Sequence, residues 1–102
     1  MKRVKRRYLA LQIETEQMSL EREFIDAVWA SIAKLYGEYG ASQASLVLIA
    51  YDVEGKTAVI RTALSTLSIV RASLASITLL AGVKASVHVV AVSGTIKSLY
   101  ER

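Results

Sequence analysis

Cysteine and proline are both absent from this chain of 102 residues, and histidine occurs only once. Without cysteine the chain has no disulfide, no thiolate nucleophile and no sulfur-ligated zinc site, and the composition suits a reducing compartment. A single histidine argues against an imidazole-rich metal site, and neither a Gly-x-Ser-x-Gly elbow nor a phosphate-cradling glycine loop occurs. The residues therefore predict no catalytic site, no metal site and no cofactor bound by the protein.

Long apolar runs are also missing, although hydrophobic residues make up 53% of the chain. The longest stretches without charge lie between Glu38 and Asp52 and between Arg71 and Lys84, and both fall short of the roughly 20 residues that a membrane-spanning helix needs. We therefore expect a cytoplasmic protein with no membrane contact. Because only 22% of the residues are charged, we also expect some apolar surface to meet a partner.

Positive charge is concentrated at the amino terminus. The basic residues among the first seven are Lys2, Arg3, Lys5, Arg6 and Arg7, whereas the remainder of the chain is nearly neutral. This pattern predicts a basic arm over residues 1–7 and a single domain over residues 8–102. Such an arm either lies along nucleic-acid phosphates or serves as a solvated tail that aids solubility.

Strand and helix signals follow one another along the chain. Leu9, Leu11 and Ile13 share one side of an alternating segment over 5–14, which predicts a strand with one buried face. Ser19 is the predicted N-cap of a long helix that ends at Gly37. The other predicted elements are strands over 45–51, 56–64 and 85–92, a turn over 52–55, a helix over 65–81 and a short helix over 95–100.

This order predicts an α+β fold of the ferredoxin-like type, a βαββαβ sandwich with a four-stranded antiparallel sheet, two main helices and a short C-terminal helix. The second and fourth strands would form the sheet edges, and neither carries the charges or prolines that usually protect an edge. We therefore expect another chain to cover an edge. The predicted partner interface consists of Leu46, Val47, Leu48, Ile49 and Tyr51.

Three further cations are candidates for nucleic-acid contact, namely Arg61, Arg71 and Lys97. Only Tyr8 lies in a position to stack on a base from the central strands, so the sequence favours phosphate or shape recognition over base recognition. Lys97 follows Ser93-Gly94-Thr95, a junction that is either an anion site or a capped turn. Arg71 is either a contact residue or a side chain that extends to solvent.

Six motifs are spread over almost the whole chain. They are Lys5-Arg6-Arg7-Tyr8-Leu9, Leu35-Tyr36-Gly37-Glu38-Tyr39-Gly40-Ala41, Ile49-Ala50-Tyr51-Asp52, Ala58-Val59-Ile60-Arg61, Val70-Arg71-Ala72-Ser73-Leu74 and Val92-Ser93-Gly94-Thr95-Ile96-Lys97. In this order and spacing they resemble ribonuclease P protein component 2, the Pop-five subunit family.

The resemblance implies a non-catalytic subunit of the ribonucleoprotein that removes 5′ leaders from precursor tRNA. In that enzyme the RNA performs the hydrolysis with Mg²⁺, and the protein supports the RNA. The implied partners are the ribonuclease P RNA, protein component 3 with its TIM-barrel-like fold, often in a dimer of heterodimers, and precursor tRNA indirectly. The RNA-binding residues expected on this basis are Lys2, Arg3, Lys5, Arg6, Arg7, Arg61, Arg71 and Lys97.

A small-molecule-sensing domain of the ACT type is the main alternative, because it uses a related fold. The sequence disfavours this ACT-type interpretation, because the connection from Thr15 to Met18 is acidic and lacks the glycines that allow a ligand to approach the backbone. An acylphosphatase-like enzyme is a third possibility, but the glycine-rich anion loop with its arginine is missing from the same connection.

Overall fold

A computed structural model describes residues 5–100 of the chain. Its strands are β1 (Arg6–Thr15), β2 (Val47–Asp52), β3 (Thr57–Ala63), β4 (Leu79–Leu80) and β5 (Val83–Ser93). Its helices are α1 (Glu21–Gln43), α2 (Leu67–Ala75) and α3 (Ile96–Tyr100), and a single 3-10 turn over Leu64–Thr66 precedes α2. None of the helices in this part of the chain is long and apolar enough to cross a membrane.

The strands form one antiparallel sheet in the order β2-β3-β1-β5-β4. The central strand β1 alternates as predicted, and its apolar side chains Leu9, Leu11 and Ile13 are fully buried. They define the helix-packed face of the sheet, where Phe24, Val28 and Ile32 of α1 and Val70 and Leu74 of α2 complete the core. The opposite, outer face carries Tyr8, Ala10, Gln12 and Glu14, and α3 packs there against β1 and β5.

The predicted α+β class and antiparallel sheet are confirmed, but the count of four strands is wrong. The second helix ends at Ala75, and Leu79–Leu80 pairs with the start of β5 as a fifth strand. Ala81 and Gly82 connect these strands, and both have positive φ angles, as a tight hairpin turn of the I′ type requires. The apolar spacing that predicted a longer helix therefore includes a strand and a turn.

The first helix also differs from its prediction at both ends. Ser19 does not cap it, since its hydroxyl pairs with the Tyr51 hydroxyl at 3.1 Å. The Leu20 N–H is instead satisfied by the Glu23 carboxylate at 2.8 Å. Gly37 does not end the helix but kinks it, with φ 78° and ψ 172°, and helical residues continue to Gln43.

Candidate nucleic-acid interface

Strand pairing brings five basic residues to one end of the sheet, which we call the basic end: Lys5, Arg6, Arg7, Arg61 and Lys97. The strand β1 begins there, and its Tyr8 pairs with Arg61 near the end of β3. Tyr8 also pairs with Ser93, the last residue of β5. Because β5 leads directly into α3, Lys97 enters the same region. Residues that are far apart in sequence therefore lie at the same end of the sheet.

The predicted arm over residues 1–7 is partly built into the sheet. Arg6 and Arg7 belong to β1 and pair with Ala63 and Thr62. The Lys5 carbonyl accepts a hydrogen bond from the Leu64 N–H at 2.8 Å. The strand extends beyond Tyr8 because backbone pairing does not require apolar side chains. The predicted contacts of Lys2 and Arg3 lie outside the described residues.

The two half-buried arginines of the basic end are held in different ways. The Arg7 guanidinium donates from Nη1 to the Arg6 carbonyl at 2.9 Å and lies beside Gly94. Arg61 lies on the outer face between Tyr8 and Val47. Its Nε is buried and has no hydrogen-bond partner among the described residues. The sheet thus positions Arg61 without neutralising its charge.

No acidic side chain within residues 5–100 neutralises the basic end. The ion pairs among residues 5–100 are Arg22 with Asp26, at 3.9 Å, and His88 with Glu14, at 3.5 Å, and neither involves a residue of the basic end. Two acidic residues of the sheet lie at its other end: Glu14 is the last residue but one of β1, and Asp52 is the last residue of β2. The basic end therefore keeps its positive charge, which attracts phosphates to it.

Arg71 lies apart from the basic end. It is exposed on α2, at a groove of about 420 Å³ between that helix and Val87, His88 and Val89 of β5. Within the described residues no acidic group pairs with it. Its predicted role in RNA binding stays a prediction, and any contact it makes would be separate from that of the basic end.

The Ser93-Gly94-Thr95 junction forms a capped turn. The Thr95 N–H donates to Ser93 Oγ at 3.3 Å, and the Ser98 N–H donates to Thr95 Oγ1 at 3.1 Å. These two amides therefore already have partners within the chain, and an anion site at this junction stays a prediction. Lys97 is exposed beside it and contributes its charge alone.

Three of the predicted partner-interface residues pack within the chain. Leu46 is buried in the core, Leu48 packs against it, and the Tyr51 ring contacts Phe24 with centroids 5.4 Å apart. The Tyr51 hydroxyl also donates to the Ser19 carbonyl at 2.7 Å. Their apolar character is explained by the chain's own core.

Val47 and Ile49 are the other two residues of that predicted interface. Val47 is exposed on the edge strand β2, and Ile49 lies at an irregularity in the pairing of β2 with β3. The prediction of a partner at this edge therefore depends on these two side chains. A second open edge exists on β5, because β4 pairs only with Val83 and Lys84.

The lone histidine has polar neighbours that sequence proximity did not reveal. Pairing of β1 with β5 brings Glu14 next to Ser86, whose hydroxyl lies 3.3 Å from both the Glu14 carboxylate and the His88 Nε2. The carboxylate and the hydroxyl both face the same ring nitrogen. A catalytic relay instead needs the two groups on opposite nitrogens of the imidazole, so we assign this exposed group no catalytic role.

Sequence reasoning also missed Tyr100, which lies at the outer face of the sheet. It borders a shallow groove of about 320 Å³ whose lining includes Ala10, Ala50, Val59 and Val90. The Leu99 side chain beside it is buried, which holds α3 against the sheet. The sequence predicted the short helix but contained no signal for the face on which it packs.

Together these features define a small α+β protein whose sheet carries an uncompensated basic end, as expected for a protein that contacts nucleic-acid phosphates. The Rpp14/Pop5 family model matches residues 7–102. The chain belongs to this family.

Individual relatives agree with this assignment. Ribonuclease P protein component 2 of Methanosarcina mazei is 31% identical over 100 residues, which cover 98% of this chain and 84% of the relative. The protein of the same name from Pyrococcus furiosus is 34% identical over 97 residues, covering 95% of this chain and 81% of the relative. These matches leave the ACT-type alternative without support.

A solved structure supports the fold. A chain in the cryo-EM structure of yeast ribonuclease MRP superposes with a TM-score of 0.73. The match covers 93% of this chain and 78% of that chain at 13% sequence identity. The similarity therefore extends over almost the whole domain.

Proposed function

We propose that this chain is a protein subunit of ribonuclease P, which binds and supports the RNA that cleaves 5′ leaders from precursor tRNA. The observation that carries this proposal is the uncompensated basic end, on a chain whose relatives are named ribonuclease P protein component 2. The RNA performs the hydrolysis and uses Mg²⁺, and the protein contributes no catalytic residue. A cytoplasmic location goes with this role, because a composition without cysteine suits a reducing compartment.

The basic end would contact phosphates rather than identify bases. Its members come from β1, β3 and α3, and the sheet fixes the first two in register. A rigid set of cations orients a protein on an RNA backbone because phosphate contacts fix position and register. Arg71 would make a second, separate contact, and Lys2 and Arg3 would extend the basic end along the RNA.

We propose protein component 3 as the protein partner, in a dimer of heterodimers. Precursor tRNA would be bound by the assembled enzyme and so would be an indirect partner of this chain. The exposed Val47 and the neighbouring Ile49 make the β2 edge the proposed contact. Open strand edges with apolar side chains pair readily with another chain. Co-expression followed by light scattering would report the stoichiometry of the complex.

Reconstituted cleavage of precursor tRNA tests the function. Enzyme RNA and the other protein subunits are assembled with the wild-type chain, without it, or with a variant that carries Arg6→Gln, Arg61→Gln and Lys97→Gln. We expect the wild-type chain to stimulate cleavage and the variant to require higher protein concentrations at physiological salt. A wild-type chain that neither binds the enzyme RNA at low salt nor stimulates cleavage would refute the proposal.

A further inference from the structure

The shallow groove beside α3 combines an apolar floor with polar residues along one side. Small or apolar residues of three neighbouring strands share this part of the outer face, because Ala50 pairs with Val59 and Val59 pairs with Ala10. Tyr100 and Val90 also line the groove, as do Asp52 and Thr57, which flank the β2–β3 turn. The groove therefore has an aromatic residue and hydrogen-bonding groups around a flat apolar surface.

The groove is open because α3 covers only part of the outer face. That helix is five residues long and buries Leu99, while Tyr100 remains 61% exposed. The pairing of β1 with β5 shifts register between Ala10 and Leu11, which leaves Val90 unpaired and 63% exposed. Two large apolar side chains thus face solvent next to small alanines, within the part of the chain that the structure describes.

Charged residues of opposite sign lie on opposite sides of the groove. Arg61 follows Val59 by two residues on the same face of β3, a distance of roughly 7 Å along a strand. In the other direction the same face carries Thr57, which pairs with Asp52. A ligand with separate anionic and hydrogen-bond-donating parts would therefore place its anionic part towards Arg61 and its donors towards Asp52.

We propose that this groove holds the base of an unpaired nucleotide of the RNA, stacked on Tyr100, with the adjoining phosphate directed to Arg61. The planar ring of Tyr100 and the alanine floor match the flat apolar faces of a base. The Asp52 carboxylate and the Thr57 hydroxyl can accept hydrogen bonds from the edge of the base. This inference rests on the proposed function, and it adds a base-stacking site to a surface that otherwise contacts only phosphates.

Affinity for single-stranded and duplex RNA distinguishes stacking from charge. The full-length chain is titrated against a fluorescein-labelled adenosine oligonucleotide of about eight nucleotides, within the range that one small domain covers, and against an RNA duplex. We expect Tyr100→Leu to bind the single strand about 5- to 150-fold more weakly, because it loses one stacked base. Tyr100→Phe should retain wild-type affinity, and duplex binding should be unchanged in both variants.

Tyr39→Leu is the matched control, because Tyr39 is 79% exposed on α1 and lies away from the groove. Circular dichroism checks that each variant is folded. Single-strand binding by Tyr100→Leu at wild-type strength would overturn the inference, and so would an equal loss of affinity for single strand and duplex. Either result leaves the proposed function intact as long as the wild-type chain binds the enzyme RNA.

Photo-crosslinking locates the contact directly. The same oligonucleotide with one 4-thiouridine is irradiated with the wild-type chain, and crosslinked peptides are identified by mass spectrometry. We expect the crosslink on the peptide that contains Tyr100, and crosslinks confined to other peptides would overturn the inference. The proposed function fails only if the wild-type chain neither binds the enzyme RNA at low salt nor stimulates cleavage, so the two failures are distinguishable.

Discussion

Neutralising the basic end should flatten the salt dependence of RNA binding. Arg6→Gln, Arg61→Gln and Lys97→Gln together remove three cations that have no ion-pair partner within residues 5–100. Glutamine keeps a polar, flexible side chain without the charge, so the variant mainly tests charge. Arg61 is only half-buried, and the other two side chains are exposed, so we expect the variant to fold normally.

The magnitude follows from counterion release. Each phosphate contact contributes about 0.9 to the slope of log affinity against log salt on a duplex, and about 0.7 on a single strand. If all three cations contact phosphates, the slope should fall by about 2.7 on duplex RNA and by about 2.1 on single strands. Affinity should drop most at low salt and converge with that of the wild type as salt rises.

The assay is a fluorescence anisotropy titration on the enzyme RNA at several salt concentrations. A matched control carries Arg22→Gln, Lys34→Gln and Lys84→Gln, which remove the same net charge from exposed positions outside the basic end. We expect the control to retain most of the wild-type slope. Equal slopes for the two triple variants would refute the reasoning, because net charge and not its placement would then determine binding.

Three further predictions concern stability, measured by chemical denaturation. Gly37→Ala should lower the free energy of unfolding by about 1–3 kcal/mol, because residue 37 has a positive φ. Gly94→Ala should be nearly neutral, since the new Cβ makes only an ordinary contact. Equal losses of stability in the two variants would contradict this prediction. Thr62→Val should cost about 1 kcal/mol, because it removes a buried 2.7 Å hydrogen bond to the Ala44 carbonyl, and an unchanged midpoint would argue against that bond. Phe24→Ala should cost about 3–5 kcal/mol through a core cavity, and a loss under 1 kcal/mol would contradict the packing described.

The sequence predicted secondary-structure elements correctly where a pattern of neighbouring residues specifies both the element and its buried face. The alternation of Leu9, Leu11 and Ile13 identified β1 and its buried face. The turn residues after Tyr51 identified the hairpin of β2 and β3, where the Gly55 N–H donates to the Asp52 carboxylate at 3.1 Å. Such signals lie within a few residues of the structure that they specify.

Boundaries were less predictable where two structures share one apolar pattern. The helical spacing that predicted a second helix over 65–81 continues from Leu74 to Ile77 and Ala81. Ile77 is buried as that spacing required, but it follows the end of α2 at Ala75, and Ala81 is exposed in a turn. Burial alone does not distinguish a helix from a short strand. At Gly37 the sequence predicted the end of a helix, because glycine is typical of helix ends. The residue instead lies at a kink, and α1 continues beyond it.

The cations of the candidate site were all evident in the sequence, but their grouping was not. Their type and charge are properties of single residues, so Arg6, Arg61 and Lys97 could be named in advance. Their common location, and the separation of Arg71 from them, depend on which strands pair and in what register. The positions of Tyr100 at the groove and of Glu14 beside His88 have the same origin, because contacts across a sheet join residues that no local pattern connects.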